Sequence, residues 1–236
     1  MERMKKATRI LNIIYLIFAL VVFIFSVIGD FSNPVNNNAP LKYVFLFVGL
    51  SLCAYALILF IRKREGVLEA GSLLLATVFT IAADTFLLML QDHILLGVIL
   101  FFVAQNLHYL RFLSSVSFEK RALFISLGYR VGLIVVGVIA ALCLGYRDAL
   151  SLWGIAYFGC LASNMIDAAL AFTIVHRKYL LVLALGFLFF IGCDICVGLF
   201  NMLPASESSA FYPWIWLFYI PAQTAIISSG LLAYEE

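Results

Sequence analysis

The chain has 236 residues, 65% of them hydrophobic and 12% charged, with a formal net charge of +2. Soluble domains carry roughly 45–50% apolar and about 25% charged residues, so this composition cannot build a water-facing surface and leaves nothing over for a soluble catalytic domain. Basic residues in short clusters between apolar runs report membrane topology and give no face for a nucleic-acid partner.

Crossing a hydrocarbon core of about 30 Å takes roughly 20 apolar residues. The first run, Ile10 to Ile28, follows the basic segment Met1 to Arg9 with no small-residue cleavage site behind it, and is expected to be a retained first helix. The connection Gly29 to Pro40 holds Asn33-Pro34 and the Asn36-Asn37-Asn38 run and is expected to be an exposed loop. Further runs follow at Leu41 to Ile61, Val67 to Leu90, Ile94 to Leu113, Ala122 to Leu144, Leu150 to Val175, Tyr179 to Leu203 and Phe211 to Tyr234. The expected fold is therefore all-α: a polytopic integral membrane bundle of about eight transmembrane helices, forming one domain over residues 1–236. Phe79 precedes Asp84 by five residues as Phe189 precedes Asp194, a weak echo that suggests a parallel repeat of residues 1–115 and 120–236.

Positive loops stay in the cytoplasm. Placing the N-terminus there assigns to that side Arg3, Lys5, Lys6, Arg9, Arg62, Lys63, Arg64, Arg111, Lys120, Arg121, Arg177 and Lys178, twelve of the fifteen basic residues. Lys42 and Arg147 fall outside and Arg130 within a helix, while Trp214 and Trp216 open the last run as an outer aromatic belt. With an even helix count the C-terminus is expected in the cytoplasm too. The five cysteines lie in apolar stretches and read as small buried hydrophobes, the Cys193–Cys196 CxxC included.

A carboxylate inside a membrane helix costs about 2.5–3.5 kcal/mol on insertion scales, so each needs a partner, water or protonation. Asp84 and Asp194 lie at similar depth, about two thirds of the way toward the outer end of their helices. Two carboxylic acids in low dielectric do not both ionise, which makes them an acid and a base at once. His108, Arg130 and Asp167 fall in the other half, where Arg130 and Asp167 are expected to form a structural ion pair. Gln105, Asn106, Tyr109, Asn164, Asn201, Tyr219 and Gln223 add polar groups to apolar runs, the plain reading of each being half of a helix-to-helix hydrogen bond. His93 and His176 read as solvated, so a three-histidine zinc site is not expected, and no cofactor is implied. A G-x-S-x-G elbow, a P-loop and a dinucleotide glycine pattern are all missing from the sequence.

Four segments resemble the YhhN-like family, the lysoplasmalogenases. They are Ala82-Ala83-Asp84 with Leu87 and Leu88; Gly97 through Phe101 to Asn106-Leu107-His108-Tyr109; Phe190-Ile191-Gly192-Cys193-Asp194; and Tyr219-Ile220-Pro221-Ala222-Gln223 followed by Ser228. The chain departs from the family pattern at Ala83, where glycine is usual, at Asn106, where histidine is usual, and at Cys193, where serine is usual. The resemblance implies metal-independent hydrolysis of the vinyl ether bond of lysoplasmalogen, a lysophospholipid, giving a fatty aldehyde and a glycerophospho-ethanolamine or -choline. It implies catalytic Asp84 and Asp194 and a substrate pocket drawn from Asn106, His108, Tyr109, Tyr219 and Gln223. Two other readings compete with it: a small proton- or cation-coupled transporter using the same aspartates, in which Pro221 would interrupt the last helix, and a non-catalytic lipid-binding protein. Membrane lipids are the expected surroundings, with the cell membrane the location if the source is bacterial.

Overall fold

The computed structural model describes residues 2–32, 39–90, 93–115, 120–204 and 209–236. Among them are eight helices long and apolar enough to cross a membrane. They are α1 (Glu2–Ser32), α2 (Ala39–Lys63), α3 (Val67–Asp84), α4 (Ile94–Ser115), α5 (Lys120–Cys143), α6 (Ala149–Val175), α7 (Lys178–Met202) and α8 (Tyr212–Glu235). The chain is an integral membrane protein: in lipid every backbone polar group must be bonded internally, and helices do this within each segment.

α1 shows how such a helix is sided. Thr8, Asn12, Tyr15, Ala19, Val22, Ser26 and Asp30 recur every third or fourth residue and are buried, while Ile10, Ile13, Ile17, Leu20 and Ile24 face outward. Polar and small residues thus pack inward and branched aliphatics meet lipid, the reverse of a water-soluble helix.

Two expectations are corrected, and the break that a carrier reading allowed at Pro221 is not seen. α1 starts at Glu2 and runs to Ser32, so Gly29 to Ser32 are helical and not loop; the Asn33-Pro34 and Asn36 to Asn38 signals lie outside the described residues. The third run changes geometry after Asp84, where the α-helix gives way to a π-helical stretch, Thr85–Leu90. α8 is continuous through Pro221, because packing against a neighbour holds a helix across the one hydrogen bond that proline removes.

The chain forms two compact units, Met1–Ala56 with His176–Glu236, and Leu57–Val175. In the first, α8 packs along α7 and α1. A Cβ on Gly186 of α7 would stand 3.1 Å from the Ile226 nitrogen and 3.2 Å from the Ala222 oxygen, so glycine there lets two backbones meet. In the second, α3 packs on α4, α4 on α6, and α6 on α5. Asp148 caps α6: its carboxylate accepts the Ser151 hydroxyl at 2.6 Å and the Ser151 amide at 2.9 Å. Those bonds hold the exposed carboxyl below its usual pKa.

Candidate functional site

Asp84 ends the α-helical part of α3, buried at the switch to π geometry. At the switch Thr85 gives its hydroxyl to the Ile81 carbonyl at 2.9 Å, the oxygen that also accepts the Thr85 backbone N–H. Gly97 of α4 makes room for this segment. A Cβ there would stand 2.6 Å from Leu87 Cγ and 3.2 Å from the Ala83 carbonyl. The motif residues Ala83, Leu87 and Gly97 therefore share one close helix contact beside Asp84 in the chain.

The same unit carries a continuous polar network across α4, α5 and α6. Asn164 donates from its amide to the side-chain and main-chain oxygens of Gln105, both at 2.9 Å. The Arg130 guanidinium donates to the Asn164 oxygen and lies 3.6 Å from Asp167. Asp167 also accepts the Ser126 hydroxyl at 2.7 Å and the Tyr129 hydroxyl. Arg130 sits 3.8 Å over the Tyr109 ring, a cation–π contact that holds the charge out of water on the aromatic face. Asn106 reaches the Phe102 carbonyl at 2.8 Å and the Cys160 sulfur at 4.0 Å. His108 is buried one turn before Arg111 on α4.

The sequence assigns Arg111 to the cytoplasmic side, and the structure buries it. It is 1% exposed, with its Nε 3.7 Å from Glu69 at the start of α3. The signal was available: opposite charges stand just inside the facing ends of two consecutive runs.

In the first unit Asp194 lies half-buried on α7. Phe190, one turn earlier, places its ring 5.7 Å from that of Tyr219 on α8, and Tyr219 lies 5.4 Å from Trp216. Gly192 admits the Phe218 ring, since a Cβ would come within 2.9 Å of it. Gln223 is buried one turn beyond Tyr219. Lys42, assigned from the sequence to the outer side, is 1% exposed; it donates to both Asp30 oxygens at 3.0 and 2.8 Å and lies 4.2 Å over Trp216. Asp30 was not singled out by sequence reasoning, although opposite charges flanking one short connection mark such a pair. Asn201, expected to bond between helices, is exposed and bonds to its own Val197 carbonyl.

Of the expected site residues, Asp84, Asn106, His108, Tyr109, Arg130 and Asp167 belong to the second unit, and Asp194, Tyr219 and Gln223 to the first. Among the described residues, no three His, Cys, Asp or Glu side chains come together as a metal site would require.

These features define a helical membrane protein whose spans carry buried charge at several levels. The chain belongs to the YhhN family, which it matches over residues 41–230, a stretch that contains both aspartates. No curated protein and no solved structure matches it.

Proposed function

We propose that this protein is a membrane-embedded lipid hydrolase that cleaves the vinyl ether bond of lysoplasmalogens. The supporting observation is its membership of the YhhN family over a stretch that includes Asp84 and Asp194. An enol ether hydrolyses when an acid protonates its β-carbon. The resulting oxocarbenium ion takes up water, and the hemiacetal collapses to a fatty aldehyde and the free glycerol hydroxyl. Overall one water is consumed and the catalytic proton is returned. Asp84 and Asp194 are the groups to which we assign proton donation and the stabilisation of the cation with activation of water. Asn106, His108, Tyr109, Tyr219 and Gln223 are assigned to substrate. A single-chain amphiphile suits a site among aliphatic and aromatic side chains within the bilayer.

The test is aldehyde release from a lysoplasmalogen by the purified protein in detergent, with Asp84→Asn and Asp194→Asn alongside. Release that either substitution abolishes in a folded protein supports the hydrolase. Its rate should fall toward acid pH as the ionised aspartate takes a proton. Absence of release from the parent protein across headgroups and pH would turn the reading toward a carrier.

A further inference from the structure

Every side chain on α3 that carries oxygen is buried. Glu69, Ser72, Thr77, Thr80 and Asp84 are each at most 7% exposed, while Leu68, Leu75 and Val78 on the same helix are between 42% and 56% exposed. At 1.5 Å per residue the polar groups climb about 22 Å from Glu69 to Asp84, in steps of about 4 to 8 Å. The widest step, from Ser72 to Thr77, is filled from α4. The two helices run antiparallel, with Glu69 beside Arg111 and the Ala83 carbonyl beside Gly97. That register sets His108 level with Ser72 and Gln105 midway between Ser72 and Thr77, and Arg111, His108 and Gln105 are all buried. Thr77 gives its hydroxyl to the Leu73 carbonyl of its own helix at 2.9 Å, whereas the Ser72 hydroxyl is buried with no hydrogen-bond partner among the described residues. A buried hydroxyl in that state is what an internal water satisfies.

We propose that the interior of the α3–α4 pair is the path by which water reaches Asp84 from the Glu69 end. Asp84 is buried within a span whose outward side chains are hydrocarbon, so water cannot come to it through the lipid face. The file of carboxyl, hydroxyl and amide groups instead offers successive hydrogen-bond partners at spacings that a bridging water closes. Gln105 also ties the file to Asn164 and so holds it against α6. The use made of the water, one molecule for each vinyl ether cleaved, rests on the hydrolase reading; the path itself is measured without it.

The experiment follows silver-ion access to single introduced cysteines in the full chain in detergent, read by peptide mass spectrometry as protection of each thiol from later alkylation. A silver ion takes thiolates, and these form only where water reaches. Ser72→Cys and Thr80→Cys should be protected at least about tenfold faster than Leu75→Cys and Val78→Cys on the outward face, where the thiol stays protonated in an apolar setting. Ser72→Cys should also be protected before Thr80→Cys. Equal rates on the two faces overturn the path, and the reverse order along the file overturns entry from the Glu69 end. If the cysteine variants melt too low to be read, hydroxyl-radical labelling of the parent decides. Label on Leu73 above that on Leu183 of α7, which is as deeply buried, supports the path, and equal label overturns it. Thr80→Val should lower aldehyde release about tenfold, the worth of about one hydrogen bond, with the KM for lipid unchanged, and Thr80→Ser should restore it. Undiminished release by Thr80→Val overturns the supply of water by this route. Protected thiols in a protein that releases no aldehyde would leave the path standing while removing the hydrolase.

Discussion

The two units handle buried charge differently. The first encloses Lys42 and Asp30 as a closed pair under Trp216. The second spreads charge over Gln105, Asn164, Arg130, Asp167, Ser126 and Tyr129, and α5, which carries three of these, buries only Ser126, Arg130 and Ala141 among its described residues. A closed pair leaves its survivor bare when one member is lost. A network leaves the survivor with other donors, so the second unit can carry charge on a helix that packing holds loosely.

The strongest test concerns chemistry, because one of the two aspartates assigned to the proposed reaction lies in each unit. Asp84→Asn and Asp194→Asn are each expected to lower aldehyde release by about 10²–10⁴-fold, the usual contribution of a positioned acid or base. An effect confined to one of them would place the chemistry within a single unit.

Next come the ion pairs. Lys42→Met strands a buried carboxylate and should cost about 3–5 kcal/mol in unfolding measurements, with Lys42→Met/Asp30→Leu recovering most of it. Arg130→Met should cost less, since Asp167 keeps Ser126 and Tyr129. The opposite order would break the contrast.

Glycines sharpen it further. Gly97→Ala presses on the Ala83 carbonyl as well as on Leu87 and should cost about 1–3 kcal/mol, the usual range for overpacking. Gly192→Ala meets only the Phe218 ring, which can turn away, and should cost less in the same melts. The smallest effect is expected from Asp148→Ala, read as a fall in melting temperature. Because the folded-state pKa of Asp148 is lowered, its contribution is present above the usual aspartate pKa and is lost as pH falls through the folded value. Parent and variant should therefore converge in acid.

Much of the fold was legible because membrane spans announce themselves by composition. The runs place every span, and their errors fall at the ends, where α1 continues through polar Arg9 and Asp30 that still have partners inside the protein. Charge was read less well. Counting lysine and arginine gives each a side of the membrane and does not reveal that Lys42 and Arg111 are buried beside carboxylates on a neighbouring helix. The Arg130–Asp167 approach was anticipated, but its extension through Asn164 to Gln105 depends on side-chain directions that one-dimensional spacing does not carry. Nor does an apolar stretch reveal where α geometry stops, since Phe86, Leu87 and Leu90 suit either winding.

That change of winding has an angular consequence. A π turn takes in about one residue more than an α turn, and one residue is about 100° of rotation. Side chains within Thr85–Leu90 thus turn progressively out of phase with those of the α-helix before Asp84. The direction of the Asp84 carboxylate is consequently set by the register of α3 from Val67 onward and is decoupled from whatever follows the π stretch. A single insertion between Val67 and Ala83 would therefore re-aim the acid.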